Sequence, residues 1–340
     1  MNSDDSISNV SQRRCRLWYN VFLYAYTGLL FVLNFSRIFD NNFWGDECYS
    51  IKLAHMSITD MIAETAQDVH PPLYYIILML STRTFGFHGW LFHVVSLLPY
   101  LIELIIALTY IRRKFKDPVP MIFITFVSLM NCALVYNVEV RMYSWASLFV
   151  LLSFLSCLEI LENNSKRSYL LFIIFSLAAA YTHYYALISI ALIYLVLLLY
   201  ALISRKYIKE MIITCVVTLL GYSCWFIVLL KTVKRTSRDF WLTGIPGIKD
   251  CFNFIFNPSE KTWALIVFVA IFIATLVLSI RRLKTDDSLK IWEMCGLFSV
   301  FGTMALGEAF SHIVRPVFQV KYLFPSAAII WLIFAVNLSR

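Results

Sequence analysis

Apolar residues fall in runs of 15–22 along most of the chain, separated by short polar segments. Each run is close to the ~20 residues that cross a bilayer core as a helix. The pattern predicts an all-α, polytopic membrane protein of about ten transmembrane helices. They are expected at about 17–36, 90–111, 118–136, 144–161, 168–182, 186–203, 210–230, 262–280, 291–309 and 322–338. The apolar stretch 72–85 does not fit this set. A helix there would be about 21 Å long at 1.5 Å per residue, short of the ~30 Å hydrocarbon core. It is expected to lie along the interface or to re-enter.

Basic residues test that expectation, because Lys and Arg collect in cytoplasmic loops. If 72–85 does not cross and the N-terminus is inside, five segments face the cytoplasm. They are Met1–Arg16, Arg112–Asp117, Glu162–Arg167, Ser204–Lys209 and Arg281–Lys290, with three, four, two, three and four Lys or Arg. If 72–85 crosses, the last four flip outward and carry Arg112-Arg113-Lys114 and Arg281-Arg282 with them. The non-crossing arrangement is therefore favoured. Residues 1–16 then form a cytoplasmic tail, expected to be disordered, and 17–340 the membrane domain, with a first outer loop at about 37–89. The run 17–36 is too long for a signal-peptide core and no clear cleavage site follows it, so it reads as a retained span.

Composition agrees. The chain is 60% hydrophobic and 15% charged, against about 45–50% and 25% in soluble domains. A net charge of +8 would suggest nucleic acid for a soluble protein. Here the cations are loop anchors, and no nucleic-acid partner is expected. Tryptophan and tyrosine mark the span borders as an aromatic belt. Eight cysteines show no CxxC spacing, so no zinc or redox motif is present. Only Cys48 and Cys251 fall in outer loops, where a disulfide between them is one option.

This topology puts every unusual polar cluster on the outer face: 37–89, 137–143, 183–185, 231–261 and 310–321, with five of the six histidines in or beside them. Transporters hold their polar groups near the bilayer midplane. Within the spans only Glu103 stands out as an unpaired acid, and it takes no assigned role. A one-sided polar surface suits an interfacial enzyme, with a lipid or glycolipid flippase as the alternative. In the first outer loop, Asp46 and Glu47 follow Trp44-Gly45. They could act as acid and base or cap the next helix. Further on comes Asp68-Val69-His70-Pro71-Pro72-Leu73-Tyr74-Tyr75, where two prolines restrict the backbone and aim Asp68 and His70.

These motifs resemble the GT-C glycosyltransferases, in the branch that contains the protein O-mannosyltransferases and the lipid A aminoarabinose transferases. The resemblance continues in Glu139-Val140-Arg141-Met142-Tyr143, then Tyr181-Thr182-His183-Tyr184-Tyr185, then Arg315-Pro316-Val317-Phe318-Gln319-Val320-Lys321-Tyr322. The four motifs occur in family order and cover about residues 40–325. The resemblance implies an inverting transferase that takes a monosaccharide from a polyprenyl-phosphate carrier. It implies Asp46 as catalytic base with Glu47 beside it. Arg141, Tyr143, His183, Tyr184, Lys321 and Tyr322 would contact the donor and its phosphate, supported by Asp68 and His70. The implied partners are a polyprenyl-phosphate-linked sugar donor, membrane lipid, and a glycan, protein or glycolipid acceptor. The implied location is the cell membrane, with the site on the extracytoplasmic face.

A leaving phosphate needs cationic or hydrogen-bonding partners. Besides Arg141 and Lys321, the outer loop 231–261 offers Lys231, Lys234, Arg235, Arg238, Lys249 and Lys261, which could equally touch anionic lipid headgroups. Asp68, His70 and His183 have donor types that suit a divalent metal ion. No helical His-x₃-His spacing supports one, and the cofactor is left open. Lys321 stands where the family commonly has arginine, a cation without the bidentate fork. Relatives are usually longer, which leaves acceptor specificity open.

Overall fold

The computed structural model describes residues 3–39, 42–282 and 287–340. The chain is helical throughout, without strands among the described residues. The first part comprises α1 (Ser3–Phe35), α2 (Gly45–His55), α3 (Ile58–Gln67), α4 (Leu73–Phe85), α5 (Gly89–Ile106), α6 (Arg112–Phe115), α7 (Val119–Leu129) and α8 (Asn131–Tyr136). The second comprises α9 (Tyr143–Asn163), α10 (Lys166–Ala180), α11 (Tyr184–Ser204), α12 (Ile208–Arg238), α13 (Ile248–Phe256), α14 (Thr262–Arg282), α15 (Asp287–Ile313) and α16 (Phe324–Leu338). A single 3₁₀ turn, Val320–Leu323, leads into α16.

Eight helical stretches among the described residues are long and apolar enough to cross a membrane. The other two expected spans are shorter. The one expected at 118–136 is broken at Met130, whose extended backbone separates α7 from α8. The break orphans carbonyls that water cannot reach in an apolar medium. Side chains take them instead: Asn137 Nδ2 donates to the Val127 carbonyl at 2.9 Å and Asn34 Nδ2 to the Ser128 carbonyl at 3.2 Å. The one expected at 168–182 is α10, 15 residues long and so about 22 Å. Its N-terminus is capped by Ser165, whose hydroxyl accepts from Ser168 N at 3.1 Å.

The bundle has two polar ends. At one, Arg112 pairs with Asp117 at 3.1 Å and Lys114 meets Glu159 and Glu162. The other gathers Asp46, Glu47, His70, Glu139, Arg141, His183 and Lys321. Helix α4 starts and finishes at this second end. Leu73 N donates to the Tyr181 carbonyl, and Arg83 at its other end donates to the Met56 carbonyl at 2.7 Å. Gly86, with φ +91, then turns the chain into α5. The stretch 72–85 therefore does not span the bundle, and α2, α3 and α4 form the short helices expected in the first loop.

Helices α9 and α16 are apolar on all sides and lie buried in the centre, as all-round apolar helices do. Helix α15 closes on both through Gly296, where an added Cβ would come within 2.5 Å of Ile333 and 2.7 Å of Phe154. Helices α12 and α14 keep broad exposed apolar faces, including Leu219, Leu220, Ile227 and Ile266, the surface that lipid would cover.

Three expectations change here. Helix α1 already runs from Ser3, so its polar start is helical; Met1 and Asn2 lie outside the described residues, as do Asn41 and 283–286 in the inward segment 281–290. Helix α12 continues to Arg238, which puts Lys231, Lys234, Arg235 and Arg238 on a helix. The Cys48–Cys251 disulfide is not formed. Cys48 is exposed, and Cys251 is buried with Sγ 3.6 Å from Glu308 Oε1.

Candidate active site

Helix α2 sets the first two carboxylates. Glu47 is buried, and both of its oxygens serve backbone. Oε2 accepts from Trp44 N at 3.2 Å, closing the N-terminal turn, and Oε1 accepts from Val140 N at 2.8 Å. It therefore ties α2 to the 137–142 segment, and its oxygens are occupied by amides. Asp46, one residue earlier, points the other way into a cavity of about 530 Å³.

The 137–142 segment carries Glu139 and Arg141. Arg141 is 2% exposed. Nη1 donates to the Asp46 carbonyl at 3.0 Å and to Ser50 Oγ at 3.3 Å. Nη2 lies 3.4 Å from His70 Nδ1. That nitrogen is closer to Asp68 Oδ2, at 3.1 Å, so the arrangement fits an Nδ1–H donated to the carboxylate. Burial, with the Arg141 charge adjacent, holds His70 below its ordinary range and neutral. Burial also pushes the Asp68 carboxyl up, but hydrogen bonds from His70 and the Val69 amide, with Arg141 nearby, outweigh it and hold it low.

Lys321 comes from the 3₁₀ turn. Its Nζ lies 3.4 Å from Asp46 Oδ2, 5.3 Å from the Trp44 ring centroid and 5.8 Å from that of Tyr143. Among the described residues, the cations Arg141 and Lys321 line the cavity, with the carboxylates Asp46, Glu64 and Asp68. Glu139 opens the Glu139-Val140-Arg141-Met142-Tyr143 motif. Its Oε1 accepts from Trp44 Nε1 at 3.1 Å, and Oε2 is buried with no hydrogen-bond partner among the described residues. Burial, with Glu47 nearby, pushes its carboxyl up to about 7 against the pull of Lys321 and Arg141.

A second cavity, also about 530 Å³, is lined almost wholly by apolar side chains of α11, α12 and α15. It meets the polar cavity at Val69, His70, Phe240 and Tyr322, which line both. His183 lies on the groove side, its ring 5.5 Å from Tyr143 and 5.3 Å from Tyr322. Its Nδ1 accepts from Tyr185 N at 3.1 Å. Burial, then His70, Arg141 and Lys321, pushes its pKa well down. Tyr184 also faces the groove, where its hydroxyl accepts from Trp225 Nε1 at 3.2 Å; it does not line the polar cavity. Asp46, Asp68, His70, Arg141, Tyr143, Lys321 and Tyr322 all do.

None of the six basic residues of 231–261 lines the polar cavity. Arg235 instead donates to the Asp68 carbonyl at 2.7 Å. Arg315 donates to the carbonyls of Arg238 at 2.8 Å and Phe240 at 3.0 Å, and so holds the segment whose Phe240 and Trp241 form one cavity wall. Among the described residues, no group of three His, Cys, Asp or Glu side chains is arranged to hold a metal ion.

The fold is of the GT-C type. Residues 69–230 match the family model for dolichyl-phosphate-mannose-protein mannosyltransferase. Two solved structures share the architecture. ArnT from Cupriavidus metallidurans in the apo state aligns with a TM-score of 0.59 and 15% identity, over 96% of this chain and 60% of that one. The same protein bound to undecaprenyl phosphate aligns with a TM-score of 0.60 and 16% identity, over 95% and 60%. The chain thus spans about three-fifths of the length of ArnT. No curated protein sequence matches it.

Proposed function

We propose that the chain is an inverting glycosyltransferase. It moves a monosaccharide from a polyprenyl-phosphate carrier to a hydroxyl on a protein, glycolipid or cell-wall glycan, at the outer membrane face. The observation that carries this reading is the junction of an apolar groove with a polar cavity that holds Asp46, Lys321 and Arg141. An isoprenoid chain suits the groove, whose lining from α11, α12 and α15 is mostly apolar. Its phosphate then reaches the junction at His70 and Tyr322, with the sugar in the polar cavity under Phe240 and Trp241. The ArnT structure with undecaprenyl phosphate supports a carrier of this kind.

The chemistry follows from the groups present. The acceptor oxygen attacks the anomeric carbon, and the bond from that carbon to the phosphate oxygen breaks. The electron pair leaves with the polyprenyl phosphate, and the acceptor proton passes to Asp46. A carboxylate in this role contributes about 10²–10⁴-fold. Arg141, fixed by Asp46 O and Ser50, presents a standing positive charge to the phosphate. Lys321 has a flexible stem and can follow charge from Asp46 to the leaving group. Glu47 acts by positioning. The basic segments at the bundle end away from the site support an outer-face location.

The test is to incubate purified protein with a panel of polyprenyl-phosphate monosaccharides and read hydrolysis or transfer by mass. Donor consumption that Asp46→Asn abolishes, with folding intact, is the expected result. Wild-type-like turnover in Asp46→Asn would contradict the assignment.

A further inference from the structure

A third cavity, about 300 Å³, lies between α8, α13 and residues 257–261. Its polar lining is Asn131, Asn253, Asn257, Asp250 and Glu260, with Tyr136 and Phe254 as aromatic walls. Among the described residues that line it there is no Lys or Arg. At ~30 Å³ of liquid volume per water, it has room for about ten waters, the size class of one sugar ring. The side chains are held by each other. Asn131 Nδ2 donates to Glu260 Oε1 at 2.6 Å, and Asn257 Nδ2 donates to Asn253 Oδ1 at 2.6 Å. Asn257 is held further by the Lys261 carbonyl at 3.2 Å and Ser259 N at 3.1 Å, and Asp250 Oδ2 accepts from Gly247 N at 2.9 Å, so the capacity left for a ligand lies on the Asn253 amide nitrogen, the Asn131 amide oxygen and the remaining carboxylate lone pairs. Amides and carboxylates beside aromatic rings match the alternating hydroxyls and C–H face of a carbohydrate. An anionic group would meet Asp250 and Glu260, and no Lys or Arg is among the described residues that line the pocket.

The pocket lies beside the polar cavity, behind the Tyr136–Tyr143 ring contact, and none of its lining residues is shared with the groove. The Tyr136 ring stands 5.1 Å from the ring of Tyr143, which lines the polar cavity. A 3₁₀ turn spreads successive side chains by about 120°, and Val320–Leu323 does so here. Val320 lines this pocket, Lys321 reaches Asp46, and Tyr322 lines the polar cavity and the groove. If the carrier enters by the groove, an in-line nucleophile must come from the opposite side.

We propose that this pocket is the acceptor subsite and that it takes an uncharged sugar unit of a glycan. Its role in the reaction rests on the transferase reading, whereas sugar binding itself does not. The test is saturation-transfer NMR on the full-length protein in detergent. The probes are neutral methyl glycosides of common hexoses and N-acetylhexosamines, with hexose 6-phosphates as the charged set. Neutral glycosides should bind wild type and Asp46→Asn alike, and the phosphates should not bind. Asn253→Leu removes hydrogen bonds from the lining. Val135→Trp fills the pocket from an apolar wall and leaves the polar groups untouched. Each should weaken binding by about tenfold or more. Absence of glycoside binding to wild type, binding that neither variant weakens, or equal binding of the phosphates would overturn the proposal. Loss of the transferase reading, by wild-type turnover in Asp46→Asn, would leave this binding result standing.

Discussion

Glu47→Gln separates positioning from chemistry at the two adjacent carboxylates. The Glu47 carboxylate accepts amide protons from Trp44 at 3.2 Å and Val140 at 2.8 Å in a site only 4% exposed. A glutamine keeps the shape but replaces one acceptor oxygen by a donor. One amide then loses its partner and faces an N–H group. A hydrogen bond to a charged group contributes about 1.5–3 kcal/mol, and an unsatisfied buried donor adds a further ~1–3 kcal/mol. The expected loss is about 2–4 kcal/mol, because the site can relax in part. For a chain of this size it should lower the thermal unfolding midpoint by roughly 3–6 °C. The assay is the midpoint in detergent, measured beside turnover for Glu47→Gln and Asp46→Asn. Glu47→Gln should lose stability and turnover together, and Asp46→Asn turnover alone. A Glu47→Gln protein as stable as wild type yet inactive would refute the positioning role and return Glu47 to the chemistry.

Three further outcomes are expected. Glu139 is protonated more readily in the folded chain, with its carboxyl at about 7 against 4.5 for an ordinary glutamate. The native state then binds more protons than the unfolded one between these values, so stability falls as pH rises through that window. Midpoints at pH 5 and pH 8 should differ more for wild type than for Glu139→Gln, and equal differences would remove Glu139 as the cause. Val233→Trp obstructs the apolar groove. Displacing about two methylenes of carrier at ~0.8 kcal/mol each raises the donor KM about tenfold. Short-chain donors should be affected less, and an unchanged KM for the long-chain donor would place the chain elsewhere. Cys48 and Cys15 are both exposed, near the site and near the opposite end of the bundle. An impermeant maleimide applied to intact cells should label wild type through Cys48 and lose that signal in Cys48→Ser. Labelling of Cys15 instead would invert the orientation.

Much of this arrangement was legible from residue pattern and charge. The 14-residue limit on 72–85 and the positions of Arg112–Lys114 were enough to keep α4 at one end of the bundle. The four motifs located most of the cavity lining. What stayed hidden depends on contacts between distant segments. Asp46 and Glu47 are equivalent as letters; only the Val140 amide, 93 residues away, separates a cavity-facing carboxylate from a buried brace. Glu139 became a site residue through Trp44 and the withdrawal of water, neither of which has a local sequence signal. The basic residues after 230 fit a phosphate cradle by composition, but Lys231, Lys234, Arg235 and Arg238 lie on helix α12 and none of the six lines the cavity. The break at Met130 has no proline or glycine to announce it; Asn34 and Asn137 make it tolerable from other parts of the chain.

The central claim is that Asp46 removes the acceptor proton in a transfer from a polyprenyl-phosphate sugar. The most direct measurement is the mass-resolved turnover of such donors by purified wild type and Asp46→Asn at matched thermal stability. The account predicts consumption of at least one donor by wild type, and a fall of about 10²–10⁴-fold in the variant. Equal turnover by the two proteins, or no turnover of any polyprenyl-phosphate sugar by the wild type, would contradict it.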